Sequence, residues 1–72
     1  MVFEIRTKDD MIVVTHVSKS GSYGITSNTP NAPARQWQTK IGAVDALDRM
    51  AANVSACGRL CHVVACEENH RN

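Results

Sequence analysis

Hydrophobic and polar positions alternate from the start of the chain. Phe3 and Ile5 are set against Glu4 and Arg6, the period of two that predicts a half-buried strand over residues 2–7. Lys8, Asp9 and Asp10 supply the turn that follows. Residues 11–18 are rich in β-branched side chains, and their two faces read Met11, Val13, Thr15, Val17 and Ile12, Val14, His16, Ser18. Both faces begin apolar, which predicts a central strand or one covered on both sides. A second turn signal at residues 19–22 leads to a short strand over residues 23–27, completing an antiparallel meander.

Pro30 and Pro33 interrupt the pattern, because proline removes a ladder donor and restricts the residue before it, so residues 28–34 form the longest loop. Gln36, Trp37 and Gln38 are expected to return as a short edge strand that sends Trp37 inward. Thr39 is the expected N-cap of a helix running to about Ser55. At 100° per residue, Ala43, Val44, Leu47, Met50, Ala51 and Val54 fall within an arc of about 120°. Asp45, Asp48, Arg49 and Asn53 lie outside it, with Asp45 and Arg49 spaced to pair at i,i+4. Gly42 in the first turn is expected to admit another backbone at close range. Gly58, just after Cys57, is the stop signal, residues 59–66 read as a last strand, and residues 67–72 as a polar tail.

The expected fold is therefore α+β: a small antiparallel sheet of four or five strands, in the order β-β-β-(β)-α-β, with one amphipathic helix on one face. Its core should hold Phe3, Ile5, Val13, Trp37, Val44, Leu47, Met50, Val54 and Val64.

Composition narrows the class. Seventy-two residues make a single domain, 1–72, near the lower limit for a self-sufficient core, so help from a partner subunit, as in a homodimer, is expected. An apolar fraction of 43% with 21% charged residues excludes a disordered chain. A net charge of +1 is too balanced to attract nucleic acid or anionic lipid over a distance. Glu4 stands where a signal peptide would carry its apolar run and no stretch is long enough to span a bilayer, so the expected location is the cytoplasm.

Candidate chemistry is concentrated in one decapeptide that contains Cys57, Cys61, His62 and Cys66. These are zinc-ligating residue types, but zinc sites usually draw on two separated pairs, and strand alternation would put Cys61 on one face and His62 with Cys66 on the other. The same alternation separates the sulfur of Cys61 from the imidazole of its neighbour His62, against a nucleophilic pair. No catalytic set and no cofactor is implied. Arg6, Lys8, Arg35 and Lys40, near Trp37, could form a modest nucleic-acid-binding patch. The reading preferred on these grounds is a non-enzymatic protein-binding module using Asn28, Asn31, Arg35 and Lys40, because a sheet with one helix leaves a face and two edges uncovered. Accessory or inhibitor proteins of bacteria and phages that occupy a surface of a larger protein complex have this form.

Overall fold

The computed structural model describes residues 1–50, 55–56 and 59–67. Strands β1 (Val2–Thr7), β2 (Ile12–Val17) and β3 (Tyr23–Ser27) precede helix α1 (Lys40–Arg49), which is followed by the two-residue β4 (Ser55–Ala56) and by β5 (Arg59–Cys66). All pairings are antiparallel, in the spatial order β3-β2-β1-β5-β4. The sheet is thus four long strands with a two-residue extension, and α1 packs across one face. Among the described residues, no helix is long and apolar enough to cross a membrane.

Each turn is held by its own side chains. Asp10 sits at φ 64° after the Thr7–Asp10 backbone bond, and the Asp9 carboxylate accepts from Thr7 Oγ1 at 2.6 Å and from the Met11 amide at 3.1 Å. Short polar side chains that bond the local backbone favour such turns over continued strand.

β1 runs in register with β5 along its whole length, from Val2 against Cys66 to Thr7 against Cys61, but meets β2 only at Arg6 against Val13. Beyond that point the two strands part, and the chain from Arg35 to Trp37 fills the gap. Phe3 and Trp37 exchange N–H···O bonds of 2.8 Å, and the Arg35 amide donates to Val14 O at 3.1 Å. The segment expected to be an edge strand is therefore an inserted bridge inside the sheet. It satisfies backbone groups that the parting of β1 and β2 would leave unpaired.

β2 carries one irregularity. Its register against β3 shifts between Val14 and His16, so Thr15 is the extra residue of a bulge. Val14 and Val17 consequently both reach the helix-side core, whereas strict alternation grouped Val17 with Val13. Gly24 lies opposite: a Cβ there would collide with the His16 ring and stand 2.6 Å from Thr15 Oγ1.

The helix begins as expected, with Thr39 Oγ1 accepting the Gly42 amide at 3.0 Å. It ends earlier than the expected limit near Ser55. Met50 is the C-cap, its N–H shared between Ala46 O and Leu47 O, and Ser55 pairs with Leu60 in β4. The stop expected at Cys57 and Gly58, the core position Val54 and all of the tail after Glu67 lie outside the described residues. The shorter helix also presents a different face. Ala43, Ala46 and Met50 are buried with Leu47 packed beside them, while Val44, expected in the core, is exposed. Two alanines let the helix axis approach the sheet closely, turning the buried arc about 60° away from the one that Ala51 and Val54 had helped define. Gly42 faces the Thr39 hydroxyl and the Trp37 indole, not another backbone.

The core between helix and sheet comprises Ile5, Val14, Trp37, Ala43, Ala46 and Met50, edged by Phe3, Val17, Tyr23, Ile25, Leu47, Cys61 and Val63. On the opposite face Val2, Glu4 and Val13 are also buried, so β1 is covered on both sides instead of being half-buried. Glu4 is 0% exposed and Arg6, with 11% of its side chain exposed, donates to Glu4 Oε1 from Nε at 3.0 Å and from Nη2 at 2.9 Å. Gln36 Nε2 donates to the other carboxylate oxygen at 2.9 Å. One buried carboxylate thus ties β1 to the inserted segment.

Candidate partner-binding surface

The loop between β3 and α1 is fixed at both ends. At its start the Asn28 amide N–H donates to Met11 O at 3.0 Å and Asn28 Nδ2 donates to Asp10 O at 2.8 Å. At its end the backbone of Arg35 and Trp37 is built into the sheet. In between, Thr29 O accepts from Ala32 N at 3.0 Å, and Ala32 is buried. Pro30, Asn31, Pro33 and Arg35 are left outward and exposed. The two prolines restrict the same span further. The loop is a short, pinned arch rather than a tether.

Arg35 lies with its guanidinium carbon 5.4 Å from the centroid of the Trp37 ring. A cation over an indole face is favourable by about 0.5–1 kcal/mol at an exposed site. Lys40, the first residue of α1, is exposed close by in sequence. Of the four residues assigned to partner binding, Asn31, Arg35 and Lys40 are on the surface. Asn28 is half-buried and its side-chain amide is engaged in holding the loop.

A second surface was not singled out by the sequence pattern. The outward side of α1 carries Ile41, 83% exposed, and Val44, 38% exposed, in a groove that Lys40, Asp45 and Asp48 also line. Ile41 lies on the opposite side of the helix from Ala43, Ala46 and Met50. The signal was available: Ile41 falls outside the predicted buried arc, yet it is a large aliphatic residue.

Parts of the alternative basic patch are engaged with or beside acidic groups. Arg6 is turned onto Glu4, Lys8 stands in a turn beside Asp9 and Asp10, and Trp37 is buried. Of the cysteine decapeptide, Cys57 lies outside the described residues. Cys61 packs against the helix-side core, and His62, one position along β5, is on the opposite face with Val64 and Cys66. His62 and Cys66 are separated by about 13 Å of strand. Among the described residues, no group of three or more His, Cys, Asp or Glu side chains is placed to hold a metal ion.

No protein-family model, no curated protein and no solved structure matches this chain.

Proposed function

We propose that this chain is a non-enzymatic protein-binding module that occupies a surface of a larger protein complex, as accessory and inhibitor proteins of phages and bacteria do. The observation that carries this reading is the pinned loop at residues 28–37, which holds Asn31 and Arg35 outward while its backbone is anchored at Met11, Val14 and Phe3. A recognition loop whose backbone is already ordered before contact avoids the loop-ordering cost that a flexible segment meets on binding. Arg35 suits a contact centre, since arginine is enriched where interfaces are energetically dense. Lys40 extends the surface, and Asn28 supports it by holding the start of the loop on Asp10 O.

The test uses the full chain as bait in cells of its host, followed by titration of the purified partner. Replacing Asn31 by Ala together with Arg35 by Glu is expected to weaken affinity by at least about tenfold, with the thermal midpoint lowered only by the few degrees that loss of the Arg35–Trp37 contact accounts for. Equal affinity for the two proteins would discard the loop. Salt-dependent capture of labelled RNA or DNA in place of a protein would replace this reading by nucleic-acid binding.

A further inference from the structure

Strand β3 is the outermost strand on one side of the sheet, and its pairing with β2 fixes which of its main-chain groups face outward. Val14 O accepts the Arg35 amide and the Ile12 amide donates to Thr7 Oγ1, so Ile12 and Val14 both turn their main chain away from β3. Their partners Ser27 and Ile25 therefore occupy non-hydrogen-bonded positions and point N–H and C=O to the open edge. The Asn28 amide on Met11 O, one pair further along, fits the same alternation. Among the described residues, the Ile25 N–H and C=O and the Ser27 N–H have no hydrogen-bond partner, while Ser27 O accepts the Thr29 amide at 3.0 Å.

The side chains add to this. Ile25, across from Val14, and Tyr23, across from Val17, lie on the helix side but are only half-buried, because α1 packs chiefly over β1 and β5. Edge strands are ordinarily blunted by a charge or a proline, and β3 has neither. The whole stretch from Ser20 to Ala34 lacks a charged side chain, in a chain that is 21% charged.

We infer that β3 pairs antiparallel with β3 of a second copy about a two-fold axis at Ile25, the midpoint of the strand, joining the two sheets into one. At that register Ile25 exchanges N–H···O bonds with Ile25 of the second copy, Ser27 stands opposite Tyr23, and Thr26 stands opposite Gly24. The two Ile25 side chains meet on the helix side, where α1 leaves them partly uncovered. The uncharged stretch favours a second copy over a foreign strand. A two-fold axis sets residues near it beside their own counterparts, so a charge there would face its like, whereas a foreign strand is sorted by complementary charge that this stretch does not offer. A domain of 72 residues also gains from a core continued across an interface.

A pair of five-residue strands covers less than the roughly 1,200 Å² typical of a stable interface, so the dimer is weak, with a Kd on the order of 100 μM. The edge is distinct from the loop at residues 28–37, and the inference does not depend on that loop's role.

Sedimentation equilibrium of the full chain from about 5 μM to 2 mM tests it. The weight-average mass should climb from 7.9 kDa toward twice that value. Ile25→Lys sets two ammonium groups at the axis, and Ser27→Pro removes an outward N–H while leaving the bonds to β2 in place; each should raise the Kd at least about tenfold. Thermal midpoints at the lowest concentration establish that each variant is folded, and the exposed Ser27 carries the test should Ile25→Lys fail to fold. In an equimolar mixture of isotope-labelled and unlabelled chains, filtered NMR spectra should show an intermolecular contact between Gly24 Hα and Thr26 Hα, which face each other at this register. The Asn31 and Arg35 variants should dimerise normally, which separates this test from that of the loop. A monomer throughout the range would leave the edge to a foreign strand and overturn the inference, as would a dimer indifferent to Ser27→Pro or one whose intermolecular contacts lie elsewhere.

Discussion

Phe3 and Trp37 exchange backbone hydrogen bonds in both directions, each 2.8 Å, although one lies in the first strand and the other precedes the helix. This reciprocal pair places the indole under α1, where Trp37 Cδ1 lies 3.5 Å from the position a Gly42 Cβ would take. The tryptophan is consequently held from two directions, by the main chain of β1 and by the first turn of the helix.

Truncating that ring should be severe. Trp37→Ala removes the largest side chain of the core and is expected to cost about 3–5 kcal/mol, a large fraction of the total stability of so small a domain. Arg35→Ala, which keeps the Arg35 amide on Val14 O and loses only the stacked cation, should cost about 0.5–1 kcal/mol. Urea midpoints for the two variants check both figures. Near-equal losses would mean that the indole is not the main support of this junction.

The buried Glu4–Arg6 pair gives a prediction about partners rather than contacts. Glu4→Ala strands the Arg6 guanidinium and the Gln36 amide without their acceptor, for an expected loss of about 3–5 kcal/mol. Substituting Glu4 and Arg6 together by Leu and Met leaves no uncompensated charge and should recover more than half of that loss. A double variant as unstable as Glu4→Ala would show that the cost comes from packing and not from the stranded charge.

Gly21 is required where it stands. Its φ is 95°, and an added Cβ would lie 2.5 Å from Arg49 O at the end of α1. That helix end is also tied to the turn through Arg49 Nε, which donates to Ser18 O at 3.3 Å. Gly21→Ala combines left-handed strain with a backbone clash and should cost more than about 2 kcal/mol. Asp10→Gly, at φ 64°, should instead change stability by less than about 1 kcal/mol, since glycine is at ease in that conformation. Thermal denaturation of both variants is the comparison, and equal behaviour would remove the role given to the Gly21–Arg49 approach.

His62 Nε2 is buried without a hydrogen-bond partner among the described residues, on the face of β5 opposite Cys61 and across from Arg6. Replacing it with valine removes the orphaned polar atom and suits a strand, so His62→Val should raise stability by about 0.5–1 kcal/mol. Lower stability in chemical denaturation would imply that the imidazole has a supporting role on that face.

Local chemistry alone determined the elements of this protein. Alternation around Phe3 and Ile5, the β-branched run through Val13 and Val14, the turn residues at Asp9 and Gly21, and the Thr39 cap each act within a few residues, so they could be read along the chain. The Asp45–Arg49 pair could be read for the same reason, and so could the division of Cys61 from His62 and Cys66. Tertiary structure decided what period and spacing do not carry. The parting of β1 from β2 made residues 35–37 an inserted bridge, the bulge at Thr15 sent Val17 to the helix side, and cover on both faces turned Glu4 from a solvent-facing residue into a buried anchor. The same holds for the candidate surfaces. Asn31, Arg35 and Lys40 were exposed as expected, but Asn28 became a clamp, Arg6 was drawn inward, and the small side chains of Ala43 and Ala46 turned the helix so that Ile41 and Val44 face outward. A sequence period fixes which residues share a face; which face is buried depends on how closely another element can approach it.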